Sequence, residues 1–235
     1  MTGTDTGAGK TVLSAALIAA MRLAGEHVRA HKPVVTGLAQ DAASSAWPPD
    51  HELLAAAAGM DPQDVAPLRF GPAVSPHLAA EQSATAIDAA ALLCAARGAV
   101  AGSRSPARES EEVVVVEGVG GLLVPFNAQF TVLDLARELG LALLIAARPG
   151  LGTINHSLLT VRAARAAGLR VLAVVLTPWP GQPTELERSN RDTIARLADL
   201  DVEVLPTLDG PELDALAQAG EKLPWRSWLA AGAQA

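Results

Sequence analysis

The chain has 235 residues, half of them apolar and 18% charged, with 18 basic against 25 acidic side chains and a formal charge of −7. That length and composition suit a buried core of one large domain and exclude a disordered chain. The negative balance and the absence of any Lys/Arg run exclude a nucleic-acid surface and a polybasic anchor, and no apolar run reaches the roughly 18 residues of a membrane helix. The opening Met-Thr-Gly-Thr-Asp is not a charged and then apolar leader, so a cytoplasmic location with no membrane partner is expected.

In chain order, apolar residues at helical spacing predict a helix over 10–24, closed by Gly25, and a strand over 27–35. Residues 36–50 are rich in Gly, Ala, Ser and Pro, and precede a short helix over 51–59 and an irregular segment to Pro76. Thr85, with Asp88 three residues on, predicts a capped helix to about 101, which carries the only cysteine, Cys94, as a small buried residue. Residues 103–112 read as a charged surface loop. The β-branched run 113–116 predicts a strand buried on both faces. Strands are expected again at 141–147, 171–176 and 202–205, with helices at 131–139, 154–166 and 185–199 between them. Such alternation predicts an α/β fold of three layers, a mostly parallel central sheet flanked by helices, formed as a single domain over 1–235. The tail 221–235, with Trp225 and Trp228, is expected to dock on some partner surface.

Three motifs carry chemistry. The first is Thr2-Gly3-Thr4-Asp5-Thr6-Gly7-Ala8-Gly9-Lys10-Thr11 at a helix start. Backbone N–H groups of Thr6, Gly7, Ala8 and Gly9 can curl around a polyphosphate, Lys10 reaches its terminal phosphates, and the Thr11 hydroxyl suits Mg²⁺. It is a P-loop with Thr4 where the first glycine usually stands. A P-loop follows a buried strand, yet only Met1 and Thr2 stand ahead of Gly3. Losing four or five such residues, at about 1.5–3 kcal/mol each, would be severe, so a natural product beginning several residues upstream with a short apolar strand is expected. The second motif is Val113–Val116 followed by Glu117-Gly118-Val119-Gly120-Gly121, a carboxylate at a strand's carboxyl end where an open α/β sheet meets its ligand, suited to holding Mg²⁺. The third is His31-Lys32-Pro33-Val34-Val35-Thr36-Gly37, whose Lys32 can neutralise a transferring phosphoryl group; a structural lysine fits the residues equally well.

Together with Ser75-Pro76-His77 and Leu151-Gly152-Thr153-Ile154-Asn155-His156, these motifs resemble, in this order, the dethiobiotin synthetase family, over residues 2 to about 210. The resemblance implies a P-loop NTPase-like fold and an ATP- and Mg²⁺-dependent ring closure. In that reaction 7,8-diaminopelargonate and CO₂ (or bicarbonate) form a carbamate, phosphorylation gives a carbamic-phosphoric anhydride, and the second amine displaces phosphate to leave dethiobiotin. It implies Lys10 and Lys32 as catalytic cations and Thr11, Asp50 and Glu117 around the metal, although the residues alone favour Asp50 as a plain N-cap. It places Gly118, Val119 and Gly120 beside the nucleotide and Thr177, Pro206, Thr207 and Leu208 around its base. Thr36 would lie near the diamine, and Gly152, Thr153, Ile154 and Asn155 would bind the substrate carboxylate at the interface of a homodimer. Two departures stand out: Gly7 where the family often has an acidic residue, and Thr177 where many members have Asn. A hydroxyl lacks the paired donor and acceptor of an amide, so other nucleoside triphosphates should also serve. The alternatives are a partitioning-type P-loop ATPase, which usually carries another lysine near the start of its loop, and a non-catalytic nucleotide-binding regulator.

Overall fold

The computed structural model describes residues 1–39, 46–102 and 112–232. The first strand, β1 (Thr2–Gly3), enters the glycine-rich loop, and α1 (Lys10–Leu23) leaves it, ending at Gly25 with φ 91°. The strand expected over 27–35 divides into β2 (Val28–His31) and β3 (Val34–Val35). Pro33 has no N–H for a ladder, and the Lys32 N–H turns away to the Val65 carbonyl at 2.8 Å. Next come α2 (Asp50–Ala58), α3 (Pro62–Val65) and β4 (Leu68–Arg69), the last pairing with β3. Within the stretch expected to be irregular, Pro62 and Pro76 each open a helix, the second being α4 (Pro76–Gln82); proline suits a first turn because its missing N–H would be unpaired there.

The following helix, α5 (Ala89–Gly102), starts later than Thr85. Asp88 is the residue that caps it, its carboxylate accepting from the Ala90 N–H at 2.9 Å, while the Thr85 hydroxyl donates to the Ser83 carbonyl. Cys94 is exposed rather than buried, because Leu92 and Ala96, four apart, take the packed face. Then follow β5 (Val113–Val116), the hairpin β6 (Pro125–Asn127) and β7 (Phe130–Thr131), α6 (Val132–Leu139), β8 (Leu143–Ala147), α7 (Thr153–Ala166) and β9 (Val171–Trp179). The chain finishes with α8 (Glu185–Ala198), β10 (Val202–Pro206), α9 (Leu213–Glu221) and α10 (Trp225–Gly232). Capping boxes Thr131/Asp134 and Thr184/Glu187 fix the starts of α6 and α8.

Four parallel strands run in the order β1-β8-β9-β10, and β2 pairs in parallel with β5. Side chains alternate between the two faces of the sheet. Ala146, Ala173, Val175 and Leu205 pack in one apolar layer with α1, α2 and α9, while Ile145, Ala147, Val174 and Leu176 pack in the other with α6, α7 and α8. The tail docks on its own chain: Trp225 and Trp228 of α10 are buried in the α1 layer. No helix among the described residues is long and apolar enough to cross a membrane.

Among the described residues the two parallel blocks are bonded to each other through Met1 and β1, Gly3 also forming a parallel bridge with Gly121. The Met1 amino group donates to the Val116 carbonyl at 2.7 Å, and the Gly118 N–H to the Met1 carbonyl at 2.9 Å. Behind these bonds a cleft of about 790 Å³ opens between β5 and β8. Val113, Val114 and Val115 line it and are therefore only half-buried, where burial on both faces was expected.

One pH response follows from this packing. His31, 3% exposed, is pushed down to about 4 by burial, with the Arg29 charge adding to it. An unfolded histidine titrates near 6.5, so stability is full above that value and declines as pH falls toward about 4. His31→Gln should flatten this part of the profile in denaturant titrations at pH 7 and 4.5; an unchanged slope would assign the acid response elsewhere.

Candidate functional site

In parallel strands every carboxyl end lies at the same edge. That edge gathers the glycine-rich loop after β1, Lys32 after β2, Glu117 after β5, Arg148 after β8, Thr177 on β9 and Pro206 at the end of β10. Thr36 follows β3.

The loop needs its glycines. Gly7 and Gly9 have φ of 69° and 83°, and a β-carbon on Gly9 would stand 2.5 Å from Cγ2 of the buried Thr177. With Gly9 as N-cap and no side chain capping it, the first N–H groups of α1 remain available to an anion. Lys10 lies in that first turn and its Nζ donates to the Asp5 carbonyl at 3.1 Å. Burial holds its ammonium below the ordinary lysine range, with Glu117 opposing the shift.

Facing the loop is a cluster of opposite charges. The Glu117 N–H donates to the His31 carbonyl at 2.8 Å, which continues the β2–β5 ladder and carries the carboxylate into the interior, fully buried. Its Oε1 accepts from Lys32 Nζ at 2.6 Å and from Thr11 Oγ1 at 2.8 Å. Lys32 Nζ also lies 2.7 Å from Asp50 Oδ2, at the first residue of α2. Burial alone would lower Lys32, but the Glu117 and Asp50 carboxylates outweigh it and hold the ammonium above the ordinary lysine range. Asp50 is held below the usual carboxylate range, its burial being outweighed by the Lys32 charge and hydrogen bond. Both partners are thus ionised at neutral pH.

Asp50 is not a cap. Pro49 takes that position, and the carboxylate turns to Lys32. Glu117 Oε2 is buried without a hydrogen-bond partner. An unpaired buried carboxylate oxygen beside a hydroxyl and a second carboxylate fits a hard divalent cation, which binds oxygen donors. Among the described residues no group of three or more His, Cys, Asp or Glu side chains is placed to hold a metal, so any ion here relies on Thr11 and on a ligand's own oxygens as well.

The remaining expected residues lie along the same edge without joining the cluster. Gly118 is bonded to Met1, and a β-carbon on Gly120 would lie 3.4 Å from Thr6 Oγ1. The Thr207 N–H donates to the Trp179 carbonyl at 2.9 Å, which places Pro206, Thr207 and Leu208 beside the end of β9. Gly152, with φ 89°, caps α7, and Thr153, Ile154 and Asn155 form its first turn. That turn is buttressed by Asn190, whose Nδ2 donates to the Pro149 and Gly150 carbonyls at 2.9 and 3.2 Å.

Asn190 was not legible as a site residue, and neither was Arg148. Its Nε donates to the Gly7 carbonyl at 3.1 Å and its Nη2 to the Thr6 carbonyl at 3.2 Å, tying the glycine-rich loop to the end of β8. Its Nη2 lies 2.6 Å from where a Gly7 β-carbon would stand, so the guanidinium uses the room that glycine leaves. The available signal was a cation directly after a strand that ends at this edge. Arg148→Ala should loosen the loop and weaken nucleotide binding by about threefold to tenfold, the net worth of one ordinary hydrogen bond at about 1 kcal/mol. Titration with a fluorescent nucleotide checks this; unchanged affinity would make the contact incidental.

A family model described as an AAA domain matches residues 1–214. The chain is 39% identical over 208 residues to the ATP-dependent dethiobiotin synthetase BioD of Anaeromyxobacter sp., covering 84% of this chain and 88% of that protein. It is 37% identical over 228 residues to the enzyme of the same name from Haloferax mediterranei, covering 94% and 89%, and 38% identical over 203 residues to that of Rhodococcus jostii, covering 86% and 82%. With the glycine-rich loop, the buried Lys32–Glu117 pair and likeness along most of its length, the chain belongs to the ATP-dependent dethiobiotin synthetase family.

Proposed function

We propose that this chain makes dethiobiotin from 7,8-diaminopelargonate, CO₂ and ATP, with the Lys32–Glu117–Asp50–Thr11 cluster as its reacting centre. One amine of the diamine takes up CO₂ as a carbamate and releases a proton. A carbamate oxygen attacks the γ-phosphorus, ADP leaves, and a carbamic-phosphoric anhydride forms. The second amine then attacks the carbamoyl carbon, breaks its bond to the phosphate oxygen and releases phosphate with a proton, closing the cyclic urea. Holding both amines and the anhydride together supplies much of the rate. Lys10 and Lys32 offset charge gathering on the transferring phosphoryl group, and loop N–H groups from Thr6 to Thr11 orient the phosphates.

The observation that carries this reading is the ammonium of Lys32 held between two carboxylates, one of them also bonded by the P-loop threonine. Thr11, Asp50 and Glu117 would hold Mg²⁺, which when bound supplies positive charge to the phosphate oxygens. The first turn of α7, whose Thr153 N–H already donates to the Gly150 carbonyl at 3.2 Å, would take the substrate carboxylate on the N–H groups of Ile154 and Asn155. Leu159, exposed and four residues beyond Asn155 on α7, and exposed Leu151 just ahead of the helix offer apolar surface for a second copy, so a homodimer with the substrate at its interface is part of the proposal, as is a cytoplasmic setting.

Turnover with Mg-ATP, bicarbonate and the diamine, followed by mass analysis, should yield dethiobiotin and diamine-dependent phosphate release. Phosphate release indifferent to the diamine would favour a partitioning-type ATPase. Thr177 lies 2% exposed against Gly9 and presents no amide pair to a base. CTP and GTP should therefore support turnover within about tenfold of ATP, since one unmade base contact is worth about 1 kcal/mol; a strict ATP requirement would contradict this.

A further inference from the structure

Asn190 breaks the pattern of α8. That helix buries Asn190, Ile194 and Ala198 at four-residue spacing, and the other two are apolar and packed in the layer beneath the sheet. An amide in that row, 4% exposed, needs hydrogen bonds to offset its lost hydration. It finds them in the connection between β8 and α7, where Nδ2 donates to the Pro149 carbonyl at 2.9 Å and to the Gly150 carbonyl at 3.2 Å. An apolar residue would continue the row; only a donor serves these two carbonyls.

Holding a carbonyl also aims the N–H on the other side of its peptide. In a trans peptide the two groups point opposite ways, so the N–H groups of Gly150 and Leu151 point away from Asn190. Among the described residues neither donates a hydrogen bond. The Gly150 carbonyl further accepts from the Thr153 N–H at 3.2 Å, and Gly152, with φ 89°, turns the chain into α7. Thr153 Oγ1 and Ser157 Oγ lie 3.4 Å apart and both residues are buried, so the Thr153 side chain faces inward. The start of α7 is thus left with backbone N–H groups to offer a ligand, and their placement rests on the carbonyls that Asn190 holds. Arg148 does the same for the glycine-rich loop: it grips the Thr6 and Gly7 carbonyls and turns the Gly7 and Ala8 N–H groups away from itself. One side chain gripping two consecutive carbonyls therefore occurs twice along this edge, each time on a loop assigned to an anion.

We propose that Asn190 is a positioning residue for the carboxylate of the diamine, fixing Pro149 and Gly150 so that the N–H groups at the start of α7 stay directed at that carboxylate. The proposal rests on the dethiobiotin reading of the site. Asn190 acts on how tightly the acid end of the substrate is held and leaves phosphoryl transfer alone.

The test compares the parent chain with Asn190→Leu, which keeps much of the volume without the donor, and Asn190→Asp, which puts an oxygen in the donor's place. Both should raise KM for the diamine by about tenfold or more, with kcat and the KM for ATP within about threefold of the parent, as when binding is lost equally from ground and transition states. The same diamine bearing a methyl group in place of its carboxylate gives the N–H groups nothing to hold. Its kcat/KM should be low and equal, within about twofold, in parent and variants. Ile194→Ala, one turn along α8, loosens the same helix and should lower Tm without moving either KM. Equal losses with both diamines, a KM for ATP that moves as far as that for the diamine, or no change at all would overturn the proposal and leave the synthetase reading intact. So would an Ile194→Ala variant that reproduces the shift in KM. A parent chain that makes no dethiobiotin would overturn both.

Discussion

Replacing Lys32 by alanine is expected to lower kcat by about 10²–10³-fold, the loss typical of removing one preorganised group that meets developing charge. The same change should destabilise the fold. Glu117 is completely buried, and without the ammonium at 2.6 Å its carboxylate keeps only the Thr11 hydroxyl, at 2.8 Å. Breaking a buried ion pair from one side costs about 3–5 kcal/mol, because the surviving charge is uncompensated. These two roles separate in a double variant. Lys32→Met with Glu117→Gln replaces the pair by neutral groups and should recover most of the lost Tm while turnover stays low. Calorimetry and steady-state kinetics on the two variants and the parent chain check this; recovery of turnover together with Tm would make Lys32 structural only.

Gly220→Ala is expected to be the most damaging single methyl in the fold. Where α9 crosses α1, a β-carbon at Gly220 would stand 2.1 Å from the Ala16 carbonyl oxygen and 2.9 Å from the Ala20 side chain. The obstacle is backbone of a helix buried between sheet and neighbours, so α1 itself must shift. Overpacking of this kind costs about 3 kcal/mol, which lowers Tm by about 6–12 °C at this size. Because α1 begins at Lys10 and Thr11, nucleotide binding should weaken with it. Gly98→Ala on α5 meets nothing within 4 Å and should be neutral or slightly stabilising. Equal melting of the two variants would show that α1 and α9 part more easily than their packing implies.

Features written in short contiguous stretches were legible. The glycine-rich loop needs its residue types at fixed spacing, four consecutive valines can only be a short strand, and α6, α7 and α8 begin within a residue of their expected starts. What escaped depended on partners distant in the chain. Lys32–Pro33 breaks the strand because the Lys32 N–H finds Val65, and β4 exists only because β3 offers it an edge. Thr85 and Asp88 both fit a helix cap by type, and tertiary packing chose the later one. Within the site, Thr11 and Lys32 were legible as separate motifs, but their meeting on one Glu117 oxygen was not. Arg148 acts through carbonyls more than 140 residues away, and no local pattern marks it.

The central claim is that phosphate leaves from a carbon, as part of a mixed anhydride, rather than from ATP by attack of water. Turnover with oxygen-18-labelled bicarbonate, Mg-ATP and the diamine, quenched before label exchanges with water, tests this through the mass of the released phosphate. One labelled oxygen per phosphate, formed in step with dethiobiotin, is the expected result, because the carbamate oxygen that attacks the γ-phosphorus departs with it. Unlabelled phosphate would contradict it, since the P-loop and the Lys32–Glu117 cluster would then serve hydrolysis rather than ring closure.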